Sequence, residues 1–187
     1  MDLHCSTTSA VEPTDAQLMA SLAAGDMAAL AALARLHQQT IRAIAFRMTG
    51  RCDLADDLTQ ETFLRLHRSA PTYRPTAAFR TFLYRIIANL CLDYARRPRL
   101  AALPEDAHAS NTGPEEPLMR QEKLAAVRDA VAALPERQRL AVILHRFEHL
   151  NHHQIAEVTG WSQSAVESLL VRAYEQLRLR LKHWMTD

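Results

Sequence analysis

Glycine is scarce in this chain: four in 187 residues, at 25, 50, 113 and 160. So few positions that tolerate a left-handed backbone, set among long segments of 3.6-residue apolar period, argue for an all-α protein. Cysteine is equally sparse. Cys5, Cys52 and Cys91 are scattered, odd in number and form no CxxC pair, which excludes a disulfide framework and a zinc ribbon. No uninterrupted apolar run reaches the length of a membrane span, and the N-terminus lacks a basic segment followed by an apolar one. The expectation is a soluble protein of a reducing cytoplasm. No glycine-rich phosphate loop and no nucleophile elbow is present. Net charge is only +1.

What is there is apolar and unevenly charged. Hydrophobic residues make up 48% of the chain, enough for packed cores and too many for a disordered protein. Between Arg35 and Arg99 twelve arginines face five acids, whereas from there to Leu118 four acids meet no Lys or Arg. The basic surplus therefore lies in the first half, where a nucleic-acid surface could be built.

Residues 1–13 read as a loose polar tail. Thr14 with Gln17 predicts a capped first helix that stops at Gly25, and 26–48 a second one ended by Gly50. A third begins at Asp53, DLADDLTQETFLRLHR. Leu54, Ala55, Leu58, Thr62 and Leu66 point one way along it, and Asp53, Asp57, Gln60, Glu61, Leu64 and Arg68 the other. That outer stripe fits either a solvated face with a Glu61–Arg65 pair or an interface. After a turn-rich loop at 71–75 holding Tyr73 and Arg74 comes FRTFLYRIIANLCLDYARR (79–97). Its core stripe is Phe79, Phe82, Leu83, Ile86, Ile87 and Leu90. Arg80, Tyr84, Arg85, Asn89, Arg96 and Arg97 lie off that stripe. Interleaved aromatic and basic groups beside a loop suit single-stranded nucleic acid, although a plain structural helix is the other reading. The stretch 98–118 holds four prolines and no periodicity, a flexible acidic linker between two small helical domains, 14–97 and 119–187.

The last third reads LPERQRLAVILHRFEHLNHHQIAEVTGWSQSAVESLLVRAYEQLRLRLK. Pro135 suits the first position of a helix bearing Leu140, Ile143, Leu144 and Phe147. Asn151 and Gln154 open a short helix that Gly160 closes, and Ser162 or Ser164 caps a longer one. Short helix, glycine turn and longer helix are the spacing of a helix-turn-helix. In the long helix Val166, Leu169, Leu170, Ala173, Leu177 and Leu181 form a packing stripe. Gln163, Ser164, Glu167, Ser168, Val171, Arg172 and Glu175 face away, where a major groove would be read.

Among nine histidines, His145 to His149 match an HxxEH pattern. It is short, has no acidic third ligand downstream and lies on a packing helix. No protease site is therefore assigned, and no metal or cofactor. A regulatory metal on His145, His149, His152 or His153 stays open.

Taken together, DLTQETFLRLHR, FRTFLYRIIANLCLDYARR and the C-terminal helix-turn-helix, in this order around an acidic linker, resemble the extracytoplasmic-function (ECF) sigma factors of bacterial RNA polymerase. The resemblance implies a non-enzymatic protein that lends promoter choice to core RNA polymerase and is silenced by an anti-sigma factor, often membrane-tethered. It has no small-molecule substrate. Asp57, Gln60, Glu61 and Leu64 would then bind polymerase. The 71–78 loop, with Tyr73 and Arg74, would open the minus-ten element together with Arg80, Tyr84, Arg85, Asn89, Arg96 and Arg97. Gln163, Ser164, Glu167, Ser168, Val171 and Arg172 would read the minus-thirty-five duplex. Glu167 and Leu169 stand where many relatives carry Lys and Arg. His149 replaces a helix-ending glycine, and His152-His153 a more acidic pair. The competing classes are a helix-turn-helix regulator acting without polymerase and an all-α adaptor in a metal or stress response.

Overall fold

The computed structural model describes residues 13–74, 78–96 and 118–185, and among them every regular element is helical. The expected tail at 1–13, apart from Pro13, lies outside the described residues. So do Arg97 and all but the last residue of the expected linker 98–118. Four helices precede that gap: α1 (Asp15–Ala23), α2 (Met27–Thr49), α3 (Cys52–Ser69) and α4 (Phe79–Arg96). A single 3₁₀ turn, Ala70–Thr72, follows α3. Four more follow the gap: α5 (Leu118–Ala132), α6 (Glu136–Arg146), α7 (His152–Thr159) and α8 (Gln163–Arg180), with a final 3₁₀ turn at Lys182–Met185.

Local chemistry sets most of the boundaries. Thr14 Oγ1 accepts the Gln17 amide while the Gln17 side chain accepts the Thr14 amide, a reciprocal cap that uses two otherwise orphaned donors. Asn151 and Gln154 repeat that arrangement at α7. Gly50 and Gly160 close α2 and α7 with φ near +72°, the left-handed turn that a Cβ would strain. Ser162, not Ser164, caps α8, accepting the Ala165 amide; the Ser164 hydroxyl instead lies 3.2 Å from that of Ser162. Pro135 is the extended cap residue of α6 and not its first helical position, because Glu136 begins the helix.

Each half builds a bundle on its apolar stripe. Leu33, Ile41 and Ile44 of α2 meet Ala55 and Leu66 of α3 and Leu83 and Ile87 of α4, all fully buried. Leu140, Ile143 and Leu144 of α6 meet Ile155 and Val158 of α7 and Val166, Leu170 and Ala173 of α8. The Leu, Ile and Val side chains among them contribute about 1.5–3 kcal/mol each when taken from water. The halves also pack on one another, α4 against α7 and α6, and α2 against α6, so their buried side chains join one apolar cluster.

Candidate nucleic-acid and polymerase interfaces

On α3 the inward set divides as the spacing predicts: Ala55, Leu58, Thr62 and Leu66 are buried and Leu54 is half-buried. Thr62 spends its hydroxyl on the Leu58 carbonyl, 2.7 Å away, which lets a polar group sit in the core. Asp57, Gln60 and Leu64 are exposed, Leu64 at 48%. Glu61 is half-buried, held by Arg65 at 2.9 Å with Arg68 at 3.9 Å. The result is a leucine on an acidic rim with one carboxylate fixed in place.

Candidate minus-ten residues divide into two groups. Tyr73, Arg74, Asn89 and Arg96 sit at the surface. Tyr73 is half-buried with its ring 4.9 Å from that of Phe82, and Arg96 lies 3.6 Å from Asp93. In the middle of α4 Arg80 and Arg85 are exposed, and Tyr84 between them is covered. Tyr84, expected off the packing stripe, is 1% exposed because the α6–α7 turn lies over it. Its hydroxyl donates to Glu148 Oε2 at 2.9 Å and accepts from Arg80 Nη2 at 2.7 Å. Burial pushes the phenol up from its ordinary value, with Arg80 pulling the other way, so Tyr84 stays a donor at neutral pH. Arg85 donates to the Glu157 carbonyl at 2.7 Å.

Two participants were not legible from sequence. Arg47 of α2 reaches Glu148 Oε1 at 3.7 Å and lies over the Phe147 ring at 4.3 Å. Phe147, counted with the α6 core stripe, is therefore 38% exposed and serves as a platform for a guanidinium. Burial lowers the Arg47 pKa and Glu148 partly restores it; a guanidinium keeps its charge regardless. The Glu148 side chain is only 7% exposed. Basic residues flanking a carboxylate in FRMTG…HRFEH were the available signal, but the two stretches are a hundred residues apart in sequence.

The outer face of α8 matches its expectation closely. Gln163, Ser164, Glu167, Ser168, Val171, Arg172 and Glu175 are all exposed, Val171 at 53%, while Val166, Leu170 and Ala173 are buried. Arg137 of α6 stacks over Trp161 at 4.5 Å and steadies the turn between α7 and α8.

The histidines do not converge. α6 ends at Arg146 and His149 turns left-handed at φ 57°, so the HxxEH residues do not share a helix face. His145 Nδ1 is hydrogen-bonded to the Tyr174 hydroxyl at 2.7 Å, and its ring lies 5.7 Å from that of His152. Burial, with His152 and Arg146 nearby, lowers the His145 pKa, leaving a neutral ring at pH 7. Among the described residues no three or more His, Cys, Asp or Glu side chains gather as metal ligands would. None of the described helices is long and apolar enough to cross a membrane.

An exposed helix-turn-helix, an acidic α3 face and a basic, aromatic α4 define a two-part DNA-associated helical protein. Residues 33–100 match the family described as sigma-70 region 2, and 124–177 that described as sigma-70, region 4. The chain is 37% identical over 180 residues to the ECF RNA polymerase sigma factor SigE of Mycolicibacterium smegmatis, covering 90% of this chain and 69% of the relative. It is 30% identical over 185 residues to the ECF RNA polymerase sigma-E factor of Haemophilus influenzae, covering 92% and 97%. The fold is that of CnrH, solved in complex with the cytosolic domain of CnrY, at TM-score 0.69 and 24% identity over 90% of this chain and 97% of that one. A similar fold is found in RpoE from Bartonella quintana, solved with the anti-sigma factor NepR, at TM-score 0.65 and 20% identity over 80% and 94%. The chain belongs to the ECF sigma factors, transcription initiation factors of bacterial RNA polymerase.

Proposed function

We propose that this chain binds core RNA polymerase through the outer face of α3, opens the minus-ten element with α4 and its preceding loop, and reads the minus-thirty-five duplex with α8. In this reading 14–97 is the polymerase and minus-ten unit, 98–118 the linker and 119–187 the minus-thirty-five unit. The chain performs no catalytic step and uses no cofactor or small-molecule substrate. An anti-sigma factor, membrane-tethered, holds it inactive in the cytoplasm until a signal arrives; the anti-sigma factor NepR bound to RpoE of Bartonella quintana supports the kind of partner, and the tether and the location rest on the family resemblance.

The observation that carries the polymerase assignment is the α3 surface. A leucine 48% exposed between Asp57, Gln60 and an arginine-held Glu61 has nothing to gain from water and suits a contact with an apolar centre and a basic rim. For α8, the exposed face offers Glu167 to a cytosine amino group, Gln163 to adenine and Val171 to a thymine methyl. Its first nine residues carry no Lys or Arg, so phosphate attraction contributes little there and the isolated C-terminal unit binds DNA weakly.

The experiment is the double reversal Asp57→Lys, Glu61→Lys in a pull-down with core polymerase. Reversing rim charges at a contact costs up to several kcal/mol, against roughly 0.5 kcal/mol for the lost Glu61–Arg65 helix pair. Core binding is expected to fall by about tenfold or more with helical content unchanged. Wild-type capture by the double variant would remove α3 from the interface.

A further inference from the structure

A buried carboxylate needs a reason. Taking a charge from water costs several kcal/mol unless partners replace the lost solvation, and an apolar residue would fill the same volume at no such cost. Glu148 is nevertheless inserted between the two bundles, with Tyr84 donating to one oxygen and Arg47 beside the other. The Arg47 guanidinium carbon lies over the ring of the neighbouring Phe147, and Arg80 closes the group from behind Tyr84. The Glu148 side chain is not carried on a helix face, since it follows the α6 cap residue Phe147 and the chain turns left-handed immediately after it.

An anionic oxygen accepting from a phenol and attracting guanidiniums, beside a flat ring laid on an arginine, presents the groups of one nucleotide: a phosphate and a base. We propose that the Phe147–Glu148 turn is an internal nucleotide mimic. It occupies a single-strand binding position built by Arg47, Arg80 and Tyr84, and Arg47 is a further contact for the unpaired strand. The proposal rests on the reading above that α4 holds the melted strand. Tyr84 cannot meet a base while the turn covers it, so strand and turn compete for one place, and the C-terminal unit must lift off α4 before the strand enters. Arg85, tied to the Glu157 carbonyl, is released by the same movement.

Competition makes a prediction that charge alone does not. A ligand that needs a minor, open form binds with affinity reduced by that fraction, so weakening the mimic strengthens binding. The assay uses the full chain and a labelled single-stranded twelve-base DNA, read by fluorescence anisotropy at low salt. Glu148→Gln keeps the size and loses the charge, and is expected to bind about five- to tenfold more tightly. Phe147→Ala is expected to move the same way without touching Tyr84 or Arg80. Adding Arg47→Ala to Glu148→Gln should return the gain. Glu122→Gln removes an equal charge from the exposed surface of α5, away from the Glu148 cluster and the α4–α7 contact, and is expected to change affinity less than about twofold, as for a screened surface charge. An equal gain from Glu122→Gln would overturn the mimic in favour of simple net charge. Unchanged affinity in both Glu148→Gln and Phe147→Ala, with binding lost in Arg80→Ala, would overturn the mimic and leave the α4 reading standing. Unchanged affinity in all three would overturn both.

Discussion

Arg139 gives the sharpest quantitative test of how the two bundles are held together. It sits in the first turn of α6, half-buried, and its guanidinium reaches three backbone carbonyls. Nη1 donates to Met48 near the end of α2 at 2.7 Å, and Nη2 donates to Leu134 at 2.9 Å and to Ala132, the last residue of α5. A cation at helix C-termini also meets the negative end of the peptide dipoles. Arg139→Ala removes donors from all three carbonyls. Water can reach some of them, so about 1 kcal/mol per bond is the appropriate scale, giving roughly 2–3 kcal/mol in all. For a body of this size that corresponds to a fall in Tm of about 5–10 °C. Urea and thermal unfolding of the full chain, followed by circular dichroism, measure it. Arg139→Lys keeps the charge and loses the planar fork, so it should recover less than half of the loss. A Lys variant as stable as wild type, or an Ala variant within about 0.5 kcal/mol of it, would refute this account of the α2–α5–α6 junction.

His149→Gly should stabilise the chain by up to about 1 kcal/mol, because a residue with a Cβ is strained at φ 57° by 1–2 kcal/mol, part of which glycine's greater freedom when unfolded takes back; a lower urea midpoint would show that the imidazole holds the turn. Burial pushes the Cys91 thiol up to about 12, so it stays protonated and should resist alkylation at pH 8 while half-buried Cys52 reacts, as mass mapping of the two peptides would show. Because the unfolded thiol ionises near 8.5, the folded state binds the extra proton between there and about 12, and the Cys91 contribution to stability is complete below that window and lost as pH rises through it. Replacing Cys91 with alanine should flatten that part of the alkaline unfolding curve.

Features set by neighbours in the chain were the ones visible in the sequence. A reciprocal cap needs only residues three apart, so Thr14 with Gln17 and Asn151 with Gln154 declared themselves. The faces of α3 and α8 follow from helical period, and both outer sets emerge on the surface apart from half-buried Glu61. His149 was singled out as standing in a glycine's place, and its positive φ agrees. The choice between Ser162 and Ser164 could not be made because both residue types favour the cap position and Ser164 has Glu167 three residues on, whereas in the fold the Ser162 hydroxyl takes the Ala165 amide and Ser164 lies against Ser162. Tyr84 and Phe147 were misplaced for one reason. Each owes its environment to a surface supplied by the other bundle, Tyr84 through a hydrogen bond that spans 64 positions and Phe147 through Arg47, and no local period carries that information. Arg47 and Glu148 look like ordinary solvated charges until the halves meet.

The contacts joining the bundles have a bearing on modularity. Chains built as two units around a linker invite exchange of the C-terminal part to redirect which duplex is read. Here such a chimaera, cut between α4 and α5, would carry Arg139, Phe147 and Glu148 into a new host and leave Arg47, Tyr84 and the Met48 carbonyl behind. Every donor and acceptor of the seam would need a counterpart of matching reach on the other parent. Exchange confined to the exposed face of α8, by contrast, crosses none of these pairs, so the face proposed to read DNA is the transplantable part and the turn after α6 belongs to the host.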